Sequence, residues 1–146
     1  MTDDETRALV TALYRAYREG DGERIAALID EDIDWLISGP VDIFPFEGAR
    51  RGKAAVLEVL ASIASAYKLE RYEPEIVVVE NERAAVLSDV AFQQRSTGRM
   101  LRFHLVNFLR FREGRLVEFQ EFANTFDLVE QAMGRHIDLP PAVGVC

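Results

Sequence analysis

The chain has 146 residues, 49% of them hydrophobic and 29% charged, a balance that supports a packed core and excludes an intrinsically disordered chain. Its 17 Lys and Arg against 25 Asp and Glu leave a net charge of -8, which excludes the cationic face that nucleic acid or an anionic membrane requires of a main partner. No apolar run approaches the roughly 18 residues of a spanning helix. The start, Met1-Thr2-Asp3-Asp4-Glu5, lacks a basic and apolar secretion signal, and the sole cysteine, Cys146, allows neither an internal disulfide nor a thiol cluster. These features predict one soluble, cytoplasmic domain over residues 1–146, with its core at about 5–134, a tail at 135–146 and no structural metal.

Thr2-x-x-Glu5 is a capping box, and Leu9, Val10, Leu13, Tyr14 and Tyr17 follow at helical spacing. Gly20 supplies a stop, and Asp21 caps a short second helix carrying Ile25, Leu28 and Ile29. A short strand is predicted over 33–37, then a loop over 38–48 rich in Gly, Pro and Phe. A third helix over 53–67 places Val56, Leu57, Leu60, Ile63 and Ala64 on one face.

From there the period changes to two. Strands are predicted over 69–80, 84–95, 99–112 and 116–123, joined by turns at Asn81-Glu82, Ser96-Thr97-Gly98 and Glu113-Gly114. Asn124 or Thr125 caps a last helix that ends near Gly134. Helices followed by a meander make an α+β protein in which helices pack on a curved antiparallel sheet, and the space between them is a natural ligand pocket.

Strand parity selects the residues that face this space. Between 99 and 112 the odd positions Leu101, Phe103, Leu105, Leu109 and Phe111 are apolar, and Asn107 is the one polar group among them. It is either a core amide satisfied by backbone or water, or a ligand-facing donor. In the last strand Val117, Phe119, Glu121 and Ala123 share the inward face, so Glu121 is a second polar intruder unless a bulge turns it out. If buried, its carboxyl would titrate high enough for acid–base work near neutral pH. His104 takes the outer parity with Arg102, Val106 and Phe108, and His136 follows the last helix, so the two histidines form no metal site. Tyr14, Tyr17, Trp35, Phe44, Phe46, Phe103 and Phe119 are candidates for lining the pocket, with the Phe44–Phe46 stretch as a lid; each alone could equally be plain core.

The order of short motifs resembles the SnoaL-like branch of the NTF2-like superfamily, which also holds ketosteroid isomerases and limonene-epoxide hydrolases. The motifs are Tyr14, Gly20-Asp21, Asp32-Ile33-Asp34-Trp35, Ser38-Gly39-Pro40, Pro45-Phe46-Glu47-Gly48 with Arg51-Gly52, Phe111 to Leu116, and Glu118 to Thr125. The resemblance implies a cone-shaped fold and a homodimer through the outer sheet face. It places Asn107 where the isomerases carry the acid of their oxyanion hole, and Glu121 where the epoxide hydrolases carry one of two catalytic aspartates. Asp89, in Leu87-Ser88-Asp89, is the candidate for the second. Two departures stand beside these matches: Ile37 occupies the position of the isomerase base, and Leu87 replaces the hydrolase arginine. Nothing resembles a phosphate loop or dinucleotide fingerprint, so no cofactor is expected. Three functions remain open: a cofactor-independent acid–base enzyme on a small hydrophobic molecule, a binding module using the same pocket, and a dimeric adaptor.

Overall fold

A computed structural model describes residues 1–140; the remainder of the tail, Cys146 included, lies outside the described residues. Helix α1 spans Asp3–Glu19 and opens with the capping box, in which Thr2 Oγ1 accepts from the Glu5 amide and Glu5 accepts from the Thr2 amide. Gly20 ends it in the left-handed region at φ 67°, and Asp21 caps α2 (Gly22–Leu28). Helix α3 (Lys53–Ala66) buries Val56 and Val59, with Leu57, Leu60 and Ile63 packed beside them. Val59 therefore replaces Ala64, which is exposed, on the predicted inward face. Helix α4 (Thr125–Met133) is capped by Asn124 and closed by Gly134.

Among the described residues six strands form a single curved, unclosed sheet in the order β2-β1-β6-β5-β4-β3. Strand β1 covers Ile29–Ile37, β2 Gly48–Arg51, β3 Tyr67–Glu80, β4 Arg83–Gln94, β5 Met100–Arg112 and β6 Arg115–Ala123. The meander β3 to β6 is antiparallel throughout, as its tight turns require. The sheet as a whole is nonetheless mixed, which corrects the all-antiparallel expectation: β1 joins β6 in parallel, pairing Trp35 with Phe119 and Ile37 with Glu121. The chain leaves β1, crosses by β2 and α3 to the far edge, and returns through the meander to lie beside it.

Two further differences are local. Strand β1 begins at Ile29 rather than residue 33, because Ile29 pairs with Leu116 and an irregularity before Asp34 absorbs the acidic stretch between them. The four-residue edge strand β2 falls between the predicted loop, which ends at residue 48, and the predicted helix, which starts at 53; it is too short to show alternation. Among the described residues no helix is long and apolar enough to cross a membrane.

Candidate active site

The concave face of the sheet and the helices enclose an apolar cavity of about 120 Å³. Helix α1 contributes Tyr14 and Tyr17, β1 contributes Trp35 and Ile37, and the following loop supplies Phe44, Phe46 and Glu47. Tyr72 comes from β3, Phe103 and Asn107 from β5, and Phe119 and Glu121 from β6. Trp35 stacks on Phe119 with centroids 3.9 Å apart and planes 13° off parallel, so the parallel β1–β6 register builds an aromatic wall. Tyr72 stands between Tyr14 and Tyr17, at centroid distances of 5.6 and 5.3 Å.

A polar cluster sits in this apolar wall. Asn107, 0% exposed, faces Glu121 directly across the β5–β6 ladder. Its Nδ2 donates to Glu121 Oε1 at 3.0 Å. Its Oδ1 accepts from the Tyr14 hydroxyl at 2.5 Å and from the Tyr72 hydroxyl at 3.2 Å. Two phenol donors on one side and a carboxylate on the other fix the amide's orientation. Both acceptor positions of the amide oxygen are thus taken, and its link to Glu121 passes through a single hydrogen bond.

Burial pushes the Glu121 carboxyl up from 4.5 to about 7, against the smaller opposing effect of the Asn107 hydrogen bond. The side chain keeps partial exposure, because it opens onto the cavity while protein surrounds it on every other side. The hydroxyls of Tyr14, Tyr17 and Tyr72 are raised by burial first and by the Glu121 charge second, so they stay protonated and serve as donors. Glu47 is a second raised carboxyl, also at about 7, again from burial first and the Glu121 charge second. Its Oε1 and the indole nitrogen of Trp35 are buried without a hydrogen-bond partner among the described residues. Two carboxyls poised near neutrality can hold, give and take a proton inside an apolar chamber.

Asp89 is not part of this group, contrary to the sequence expectation. Ser88 takes the inward position with Val86 and Val90, so Asp89 points to the outer face, where it accepts from Arg71 Nε at 2.8 Å. His104 also lies outside, 2.9 Å from Glu75. A register shift between Arg110 and Phe111 changes the parity at the start of β6, and Leu116 rather than Val117 lines the cavity. Periodicity does not single out Glu47 because the residue belongs to a loop. Its one signal is chemical: a lone charge between phenylalanine and glycine in an apolar run.

The family model for the SnoaL-like domain matches residues 10–119. The chain belongs to the SnoaL-like family. No curated protein matches it. Among solved structures, a candidate isomerase from Rhodopseudomonas palustris is similar to this SnoaL-like protein at 41% identity and a TM-score of 0.81, covering 92% of this chain and 100% of its own. An NTF2-like protein from Burkholderia xenovorans shares 26% identity at a TM-score of 0.79, over 90% of this chain and 98% of its own. An LEH-like epoxide hydrolase from M. tuberculosis shares the fold at 13% identity and a TM-score of 0.74, over 90% and 92%. In this SnoaL-like protein Ile37 lines the cavity as a hydrophobe, and the carboxyls come instead from β6 and from the loop before β2.

Proposed function

We propose that this SnoaL-like protein is a cofactor-independent acid–base enzyme, of isomerase, cyclase or hydrolase type, acting on a small hydrophobic molecule. The observation that carries this reading is Glu121: a carboxyl raised to about 7 on the wall of an aromatic cavity, tied through Asn107 to two tyrosine hydroxyls. A desolvated carboxylate of that basicity takes a proton from carbon or from water far better than an exposed one, and the aromatic walls hold the carbon skeleton against it. A resemblance of 41% to a candidate isomerase supports the same class.

A panel of small apolar ketones and epoxides tests this reading, with C–H exchange in D2O and ring opening as the readouts. Turnover by the wild type, and loss of about a hundredfold or more in Glu121→Gln, is the expected result. Equal turnover by both proteins would remove Glu121 from the chemistry. Tight retention of a ligand that neither protein alters would mark a binding module instead.

We also propose a homodimer through the outer sheet face, in a cytoplasmic setting that the net charge of -8 and the single cysteine favour. Exposed Ile76, Val78, Phe108 and Phe122 occupy neighbouring register positions there, and Phe108 and Phe122 meet edge to face at 6.2 Å. The ion pairs Arg71–Asp89 and Arg110–Glu118 and the His104–Glu75 contact lie around them, an apolar centre with a polar and charged rim. Phe108→Ser with Phe122→Ser is expected to convert a dimer to a monomer in light scattering. A wild-type monomer, or a variant that stays dimeric, would sink this proposal.

A further inference from the structure

The loop between β1 and β2 holds a buried acid that the cavity wall does not need for packing. Glu47 is 3% exposed, and its Oε1 has no hydrogen-bond partner among the described residues. An unpartnered buried carboxyl is destabilising and calls for a functional account. The cation beside it leaves it unpaired: Arg50 donates to the backbone carbonyls of Pro45, Glu47 and Ala49, fastening the loop instead of neutralising the acid. The bend just after β1 makes room for the group as well. A Cβ on Gly39 would lie 2.1 Å from Glu47 Oε1 and 2.4 Å from Oε2, so a larger residue there would displace this carboxyl.

We infer that Glu47 is a second catalytic residue of this site, the general acid that works opposite Glu121 on a substrate oxygen; the inference rests on the acid–base reading of Glu121. Both carboxyls line the same cavity and each feels burial, and the charge on Glu121 opposes ionisation of Glu47. The titratable groups around them are Tyr14 and Tyr17 from α1, and Tyr67 and Tyr72 from β3. All four are raised and stay neutral, and the guanidinium of Arg50 is engaged by backbone. Like charges in one apolar chamber favour a state with one proton between the two carboxyls, which is the resting state an acid–base pair needs.

The substrate class is a small apolar molecule with an enolisable carbonyl. Glu121 carboxylate takes a proton from the carbon beside the carbonyl; the electrons of the broken C–H bond form the enol C=C. The π pair of the carbonyl moves to oxygen, which takes the proton of Glu47. The products are an enol, a protonated Glu121 and an ionised Glu47. Return of a proton from Glu121 to carbon and of the enol proton to Glu47 restores the protein, so the step is balanced without a co-reactant.

The probe is 2-tetralone, a bicyclic aromatic ketone, in D2O with exchange at carbon followed by proton NMR. Wild type is expected to exceed buffer, Glu121→Gln to fall to buffer, and Glu47→Gln to lose about a hundredfold in kcat with KM little changed. Glu47→Asp, which keeps an acid, is expected to recover part of the rate and to restore the pH dependence that Glu47→Gln loses. Thermal melts separate folding from chemistry: glutamine fits the same space without charge, so Glu47→Gln melts no lower than wild type. Wild-type exchange in Glu47→Gln alongside a dead Glu121→Gln would overturn the role of Glu47 alone. Exchange that survives Glu121→Gln, or wild type at the buffer rate, would overturn both roles. A change confined to KM and melting temperature would make Glu47 structural.

Discussion

Glu121→Gln is expected to raise thermal stability at pH 8 and to leave it almost unchanged at pH 4. The sign follows from the direction of the shift. The folded-state value of about 7 lies above the ordinary 4.5, so the folded protein binds this proton more tightly than the unfolded chain does. Below 4.5 the group is neutral in both states and carries no penalty. From 4.5 to about 7 the unfolded carboxyl ionises while the folded one resists, and stability falls; above about 7 the full penalty of about 3 kcal/mol is present. Glutamine never ionises and still accepts from Asn107, so it escapes that penalty while abolishing proton transfer. Melting curves across this range give the test. A shift of equal size at both ends would mean that Glu121 carries no buried charge.

Asn107→Leu is expected to be the most damaging single change in the polar cluster, costing about 3 kcal/mol or more. Leucine keeps asparagine's branching at Cγ but strands three partners: the Tyr14 and Tyr72 hydroxyls lose their acceptor, and Glu121 loses its donor. Each buried group left unsatisfied costs about 1–3 kcal/mol, whereas Tyr14→Phe removes one donor and leaves Asn107 Oδ1 its bond from Tyr72, for about 1 kcal/mol. Urea unfolding of the two variants provides the comparison. A loss below about 1 kcal/mol for Asn107→Leu would show that the cluster relaxes onto other partners. The same variant removes the one hydrogen bond that lowers the Glu121 titration, so Glu121 should become harder to ionise.

Much of this site is legible in the sequence because strands alternate. Asn107 and Glu121 stand out as polar residues on otherwise apolar parities, and the ladder places them face to face. The SnoaL-like fold is legible from the order of its motifs, and the family match agrees with it. Alternation fails where geometry departs from it. The irregularity near Phe111 swaps Leu116 for Val117, and a motif analogy alone brings in Asp89, which the parity of Ser88 turns outward. Loop residues have no period at all, so Glu47 shows in the sequence only as a charge in an apolar run, and its place becomes plain when Gly39 is seen against it. Partnering between distant strands is likewise unwritten locally: nothing in residues 29–37 announces a parallel neighbour more than eighty positions away.

That parallel pairing also governs the route by which the chain reaches its native state. Strand β1 has its partner β6 only after the whole meander exists, so the cavity closes late and at a high cost in loop entropy. Until then, the inner edges of β1 and β5 are unpaired templates for association with other chains. The single tryptophan reports this event directly, because Trp35 on β1 stacks on Phe119 of β6. Its fluorescence change on refolding is therefore expected to lag the helical signal of α1 and α3, which stopped-flow fluorescence and circular dichroism would compare. In the cell, the same delay would leave the chain dependent on protection against aggregation until β6 has docked.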